Sequence, residues 1–293
     1  MQAHVPVLLR EAIEFLNVQP DGFYIDATLG AGGDAEEILR RLEKGKLLGI
    51  DRDPAALAIA RKRLRNFGEK LITMSGNFAQ ISELHAASGF PPVDGLLADL
   101  GVSTMQLEDA SRGFSFSTPG PLDMKMGPGP GPGAADLVNE MDERELADVI
   151  FKLGEERHSR RVARAIVKGR PYRSSTELAQ VVTRAIPSRA ALLHIHPATR
   201  TFQALRMAVN HELECLESLL ARVLDVLKPG GRVVIVSFHS LEDRLVKSAF
   251  KAWQRERRAT LLTRHVVRPA EAELAANPRS RSAKLRAAEK CAG

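Results

Sequence analysis

Three short apolar runs, each closed by an aspartate, with helix-forming segments between them, constrain this chain more than any other feature. Residues 23–27 end in Asp26-Ala27-Thr28, residues 46–50 end at Asp51, and residues 93–98 end at Asp99. Helical patterns lie between them at 34–42, 54–64 and 81–87, with Asp53 placed to cap the second ahead of Pro54. A fourth strand is expected at 70–74, and a short helix over 5–16, apolar at Val7, Leu8, Ala12, Phe15 and Leu16, precedes the first. Such runs read as strands of a parallel sheet covered on both faces by helices. The pattern resumes late. A helix over 211–227 carries a stripe of Leu213, Leu216, Leu219, Leu220, Val223, Leu224 and Leu227, and Lys228-Pro229-Gly230-Gly231 stops it. A strand over 232–238 and a helix over 241–253 follow. The class is α/β, with a Rossmann-like sheet.

Residues 105–201 carry no convincing strand. GPGPGPG at 127–133 breaks regular structure, and Asp142, with Glu145 three residues on, marks a helix start. Helical patterns at 157–167, 175–186 and 201–210 complete this stretch. The simplest organisation is one α/β domain, 1–106 and 202–293, interrupted by an all-helical domain over 107–201.

Charge is unevenly spread. The 293 residues carry a formal net charge of +6. Residues 247–293 hold twelve Lys/Arg against four Asp/Glu, residues 153–190 hold nine against three, and the remainder is −8. Two basic regions on an acidic body point to a polyanion, most commonly nucleic acid, over a solvated face with a loose basic tail. No run of about 18 apolar residues is present, so no membrane span is expected. The start lacks the pattern of a secretion signal. Two cysteines, Cys215 and Cys291, exclude a disulfide framework and a cysteine-built zinc site, and make a reducing cytoplasm the expected location.

The first strand leads into YIDATLGAGGDAEEIL, residues 24–39. Gly30, Gly32 and Ala35 fit the dinucleotide fingerprint, with Asp51 placed 21 residues after Gly30 for ribose hydroxyls. That alone would suit a dehydrogenase. Two carboxylates favour S-adenosylmethionine instead. Asp34, opening the helix, would repel a pyrophosphate but suits a ligand with an ammonium and a sulfonium. Asp26 can join a polar network at the methionine end. Phe78 can lie against an adenine with Asn77 nearby, or fill core. Asp99 points toward the reaction zone beyond the strand ends, where a carboxylate can hold an exocyclic amine and accept its proton. Gln106 and Ser103 lie close to it in sequence, and His239, in SFHSLED, could face the same cleft. No G-x-S-x-G or H-E-x-x-H is present, and His194 and His196 lack a third partner, so no metal site is expected. Cys215 falls in the amphipathic helix as a core residue, which disfavours transfer through a thiol nucleophile.

Longer blocks are more specific than the glycine turn. HVPVLLREAI (4–13), YIDATLGAGG (24–33), GIDRDPAAL (49–57), DGLLADLGVS (94–103), RGFSF (112–116), GPLDMKM (120–126), GEERHSRRVARAI (154–166), RTFQALRMAVN (200–210), PGGRVVIVSFHSLEDRLVK (229–247) and NPRSRSAKLRAAE (277–289) run nearly the whole chain. With them the chain resembles the bacterial 16S rRNA cytosine-N4 methyltransferase family. The resemblance implies an S-adenosylmethionine-dependent methyltransferase sheet with an inserted helical domain. It implies methylation of the exocyclic amine of one cytidine in the decoding centre of the small ribosomal subunit. The family's cofactor contacts fall on Gly32, Gly33, Asp34, Asp51, Phe78, Asp99 and Gln106; Asp26 and Gly30 are added from the turn itself. The chain departs from the family at Ala31 and Asp34, where arginine and histidine are common, and at Thr104-Met105, where Ser-Pro is common. These departures leave open a catalytically impaired RNA-binding or ribosome-assembly protein of the same fold. A DNA amine methyltransferase is the other alternative, but DLGVS stands where its proline-rich aromatic motif would be.

For a small-subunit or late-assembly substrate, Arg157, Arg160, Arg161 and Arg164 can meet phosphates from one helix face. Arg279, Arg281, Lys284 and Arg286 form a basic tail suited to RNA backbone. Arg112 and Phe114 can hold the target base by polar contact and stacking, with His239 as a further substrate-side candidate. The amine must come from an extruded or already open nucleotide.

Overall fold

Residues 6–187 and 196–292 are described by the computed structural model, so the expected helix start at Val5 and the histidine at 194 lie outside the described residues. The first half runs α1 (Leu9–Leu16), β1 (Phe23–Asp26), α2 (Gly33–Arg41), β2 (Lys46–Asp51), α3 (Pro54–Leu64), β3 (Leu71–Ser75), α4 (Ile81–Ser88) and β4 (Val93–Asp99). A helical stretch follows: α5 (Thr104–Glu108), α6 (Ala134–Glu140), α7 (Glu143–Gly154), α8 (Ser159–Lys168), α9 (Ser175–Ala185) and α10 (Thr199–Asn210). The chain ends with α11 (Glu212–Val226), β5 (Leu227–Ser237), α12 (Ser240–Arg255), β6 (Ala259–Leu261), α13 (Glu271–Ala276) and β7 (Lys284–Lys290). Two compact units result, one of residues 1–101 and 213–293, the other of 102–212.

The first unit is a seven-stranded sheet in the order β3-β2-β1-β4-β5-β7-β6. β1 pairs in parallel with both β2 and β4, so the strand order reverses between β1 and β4. In open α/β sheets that reversal opens a crevice at the carboxyl ends of the two strands, here Asp26 and Asp99. Strand residues alternate between the two faces. Ile25, Leu48, Leu96 and Val233 pack into one core with α11 and α12. Tyr24, Leu47, Leu97 and Val234 pack into the other with α1, α2 and α3. Asp53 caps α3, its carboxylate accepting the Ala55 N–H at 3.0 Å, as expected from the Pro54 that follows.

The sheet is not wholly parallel. β7 runs antiparallel to β5, pairing Ile235 with Arg286 and Val236 with Leu285, and β6 runs antiparallel to β7. This corrects the basic tail expected at residues 279–286. Leu285, Ala287 and Ala288 are fully buried, so the segment is a strand inside the sheet.

The second unit contains no strand among its described residues. Leu146 and Ile150 of α7, Val162 and Ile166 of α8, Leu178 and Val182 of α9, and Phe202 and Leu205 of α10 form its core. Asp142 caps α7 by accepting the Arg144 and Glu145 N–H groups, both at 2.8 Å. The unit is wider than the 107–201 segment drawn from the sequence, because Val102 and Leu107 pack against its core at one end and Leu205 enters it at the other.

Candidate active site

The turn after β1 requires glycine. Gly30 and Gly32 take left-handed conformations, with φ of 50° and 80°. A Cβ at Gly32 would lie 2.9 Å from Leu64 Cδ1, and one at Gly33 would lie 2.5 Å from Pro6 Cγ. Asp51 holds the turn in place: one carboxylate oxygen accepts the Gly30 N–H at 2.7 Å, the other the Asp53 N–H at 2.8 Å. Thr28 is a residue that the sequence reading passed over. Its hydroxyl accepts the Asp99 backbone N–H at 2.7 Å and so ties the end of β4 to the turn after β1. Its signal was its position, two residues after a strand-ending aspartate.

Carboxylates crowd this end of the sheet. Asp26 is 1% exposed; one oxygen accepts the Thr28 N–H at 3.1 Å and the other, Oδ2, has no partner. Asp99 likewise has a buried oxygen, Oδ1, without a partner. Burial pushes the Asp26 carboxyl well up, and the negative charges of Asp34 and Asp51 push it further against the Thr28 hydrogen bond. Burial also raises Asp99, followed by repulsion from Asp34, Asp26 and Glu242. Asp34, in the first turn of α2, is pushed up to about 7 by burial, against its own backbone N–H and the attraction of Arg63. Asp34 and Asp99 keep part of their surface open. Such a group of mutually repelling carboxyls favours a cation beside it.

Asn77 and Phe78 follow β3, two strands out from β1. Asn77 caps the 3-10 turn 78–80, accepting the Ala79 N–H at 3.0 Å, and its amide donates to Cys215 Sγ at 3.1 Å. Cys215 is therefore half-buried and hydrogen-bonded, not the plain core residue expected. Phe78 is half-buried against the core.

His239 opens α12. It is 8% exposed and caps α12, with Nδ1 accepting the Glu242 N–H at 3.3 Å and Nε2 lying 3.1 Å from Glu242 Oε1. Glu242 in return accepts the Phe238 and His239 N–H groups at 2.9 and 3.3 Å. The SFHSLED stretch is a capping box made through Nδ1, and it leaves the buried His239 Nε2 without a hydrogen-bond partner.

Within the second unit, Gln106 is 6% exposed. It accepts the Ser103 N–H at 3.0 Å and donates to the Met126 carbonyl at 3.3 Å. Arg112 donates to the Lys125 carbonyl at 2.9 Å, and its guanidinium lies 5.8 Å from the Phe114 ring centroid. Phe114 itself is 6% exposed and belongs to the helical core, which corrects its expected role as a stacking platform. Phe116, two residues on, stacks on the His196 ring at 4.5 Å. Arg157, Arg160, Arg161 and Arg164 are all exposed. The last three lie on α8 opposite its buried Val162, Ala163 and Ile166, while Arg157 precedes the helix. Arg164 is 3.3 Å from Glu143.

Of the four C-terminal cations, Arg279 and Arg281 are exposed in the turn 278–282, while Lys284 and Arg286 belong to β7. Arg286 pairs with Asp243 at 2.7 Å, the two side chains 12% and 17% exposed. That partner removes Arg286 from the expected RNA-facing set, and strand pairing removes Lys284 from a flexible tail.

The fold has a known counterpart. The crystal structure of a candidate rRNA methylase from Clostridium thermocellum matches with a TM-score of 0.50 at 11% identity, covering 99% of this chain and 98% of its own. The sheet, with its glycine turn and carboxylates at the switch point, defines a Rossmann-like methyltransferase of the class whose cofactor is S-adenosylmethionine. Residues 1–291 match the model of the MraW methylase family. A ribosomal RNA small subunit methyltransferase H of Syntrophobacter fumaroxidans is 50% identical over 306 residues, covering 98% of this chain and 96% of its own. Its namesake in Koribacter versatilis is 51% identical over 295 residues, covering 98% and 93%. The chain belongs to the MraW methylase family.

Proposed function

We propose that this protein methylates 16S rRNA, transferring the methyl group of S-adenosylmethionine to the exocyclic N4 amine of one cytidine in the decoding centre. The observation that carries this reading is Asp99, a carboxylate ending β4 at the sheet's switch point with one buried oxygen unpartnered. The names of the relatives support the small-subunit rRNA as substrate.

The strand-end residues fit the donor, which supplies a methyl group activated on a sulfonium. Gly30 leaves the backbone open to it, while Gly32 and Gly33 let the turn pack closely on Leu64 and Pro6. Asp51 is placed for the ribose hydroxyls; each of its oxygens keeps a second lone pair beyond its bond to Gly30 or Asp53. Phe78 would flank the adenine. Asp26 and Asp34 answer the ammonium, and a cation among these carboxyls draws their pKa values back down. Asp99 is then ionised when it is needed. It accepts an N–H of the cytosine amine and aims the nitrogen, whose lone pair is otherwise spread into the ring. The nitrogen becomes acidic as it gains the methyl group, and Asp99 takes the released proton. Gln106, buried in the helical unit, keeps that unit's first turn in shape.

The exposed cations of α8 would engage RNA phosphates. The substrate is the folded particle, so a short naked oligonucleotide should be methylated far more slowly than small subunits. The alternative, an assembly factor with impaired catalysis, rests on Ala31 and Asp34. An added carboxylate beside a cationic donor speaks for binding, not against it. Incubating unmethylated small subunits with labelled donor tests the reading. Wild type should label the rRNA, and Asp99→Asn should bind donor yet label it about 100-fold or more slowly.

A further inference from the structure

The C-terminal basic region does not present itself as a tail, and the structure moves its positive charge to a different place. Arg286 is spent on Asp243, and Lys290 donates to the Leu224 and Leu227 carbonyls at 2.7 Å. The exposed cations that remain organised are on α12. Lys247, Lys251 and Arg255 are all exposed and recur every four residues, so they form one row with a rise of roughly 6 Å per step. The opposite side of α12 is anchored by Val246, Phe250 and Trp253 in the sheet core.

The acids of this helix are consumed elsewhere. Glu242 is 3% exposed and closes the capping box, and Asp243 holds Arg286. From Arg244 to Arg255 the helix contains no Asp or Glu. Just beyond it, the exposed Glu256 lies 3.8 Å from Arg258. A solvated helix face normally mixes signs, since opposite charges four apart stabilise it and like charges cost a few tenths of a kcal/mol per pair. A row of like charges held by a rigid, buried anchor on an otherwise acidic protein instead suits a regularly charged polyanion.

We infer that the Lys247–Lys251–Arg255 row of α12 is a docking surface for the RNA backbone of the small ribosomal subunit. This extends the proposed function and rests on it. The row reads phosphate charge, not sequence, and it sets how tightly the substrate is held without entering the methyl-transfer step.

The test is a triple substitution, Lys247→Gln/Lys251→Gln/Arg255→Gln, in the full-length protein. These side chains are exposed, so thermal unfolding and donor titration should match wild type. With unmethylated small subunits the KM should rise about tenfold or more while kcat stays within about twofold. The slope of log affinity against log salt should flatten by about 2 to 3, close to one unit for each lost phosphate contact. The charge-preserving Lys247→Arg/Lys251→Arg variant should behave as wild type. An unchanged KM and salt slope in the triple variant, with wild type active on subunits, would overturn the docking surface and leave the methyltransferase reading standing. Weakened binding to subunits but not to naked 16S rRNA would assign the row to a ribosomal protein and also overturn it. A wild-type protein that neither binds nor methylates subunits would overturn both readings.

Discussion

Thr28 accepts the backbone N–H of Asp99 at 2.7 Å, so the hydroxyl after the first strand fixes where the fourth strand ends. Thr28→Val keeps shape and removes that acceptor. It should leave a partly buried N–H unsatisfied, lowering stability by about 1–3 kcal/mol. It should also lower kcat by about tenfold or more as Asp99 loses its seat. Thr28→Ser should restore both. Denaturant unfolding and steady-state kinetics on small subunits check this; a Val variant with normal kcat would show that Asp99 needs no such support.

Asp34 makes donor binding sensitive to pH near neutrality. Its carboxyl, pushed up to about 7, is protonated below that pH and then no longer attracts a cation. Donor affinity should therefore weaken as pH falls from 8 to 6, by up to about tenfold per unit for one linked proton. In Asp34→Asn that dependence should flatten. Calorimetric titration across this range reads both proteins. The ligand-free protein should show the opposite trend in stability. Carboxyls raised by folding bind more protons folded than unfolded, so the fold gains stability as pH drops through 7 toward the ordinary carboxylate range.

Phe114→Ala should act through stability. A buried phenylalanine cut to alanine costs about 3–5 kcal/mol, here in the core of the helical unit. Phe114→Leu should keep most of that packing and most of the activity. Selective loss of RNA methylation in the Leu variant, with unfolding unchanged, would return Phe114 to a base-stacking role.

Arg286→Ala should destabilise by about 2 kcal/mol, because Asp243 is left partly buried without its charged partner. Arg281→Ala, at an exposed position, should leave unfolding unchanged. Parallel denaturation curves for the two variants separate strand chemistry from surface charge.

The difference between these two arginines shows where the sequence is legible. β1, β2 and β4 were readable because a strand buried on both faces is an unbroken apolar run, and their closing aspartates marked the site. The capping pairs of α3 and α7 were readable because a cap is a local contact. β7 was not. Its sequence KLRAAEK looks like a polar tail because three of its four charges are satisfied by partners far along the chain. Arg286 meets Asp243, Glu289 meets Arg232, and Lys290 meets the Leu224 and Leu227 carbonyls. Phe114 misled for the related reason that burial depends on packing which no local pattern states. Thr28 was missed because its acceptor role faces a strand 71 residues away.

The nucleoside identity of the methylated product tests the central claim most directly. Small subunits lacking the mark are incubated with labelled S-adenosylmethionine and this protein, and the rRNA is digested to nucleosides. Label in N4-methylcytidine at a single decoding-centre position, abolished in Asp99→Ala, is the predicted result. Label in any other nucleoside, or tight donor and subunit binding with no transfer, would contradict it.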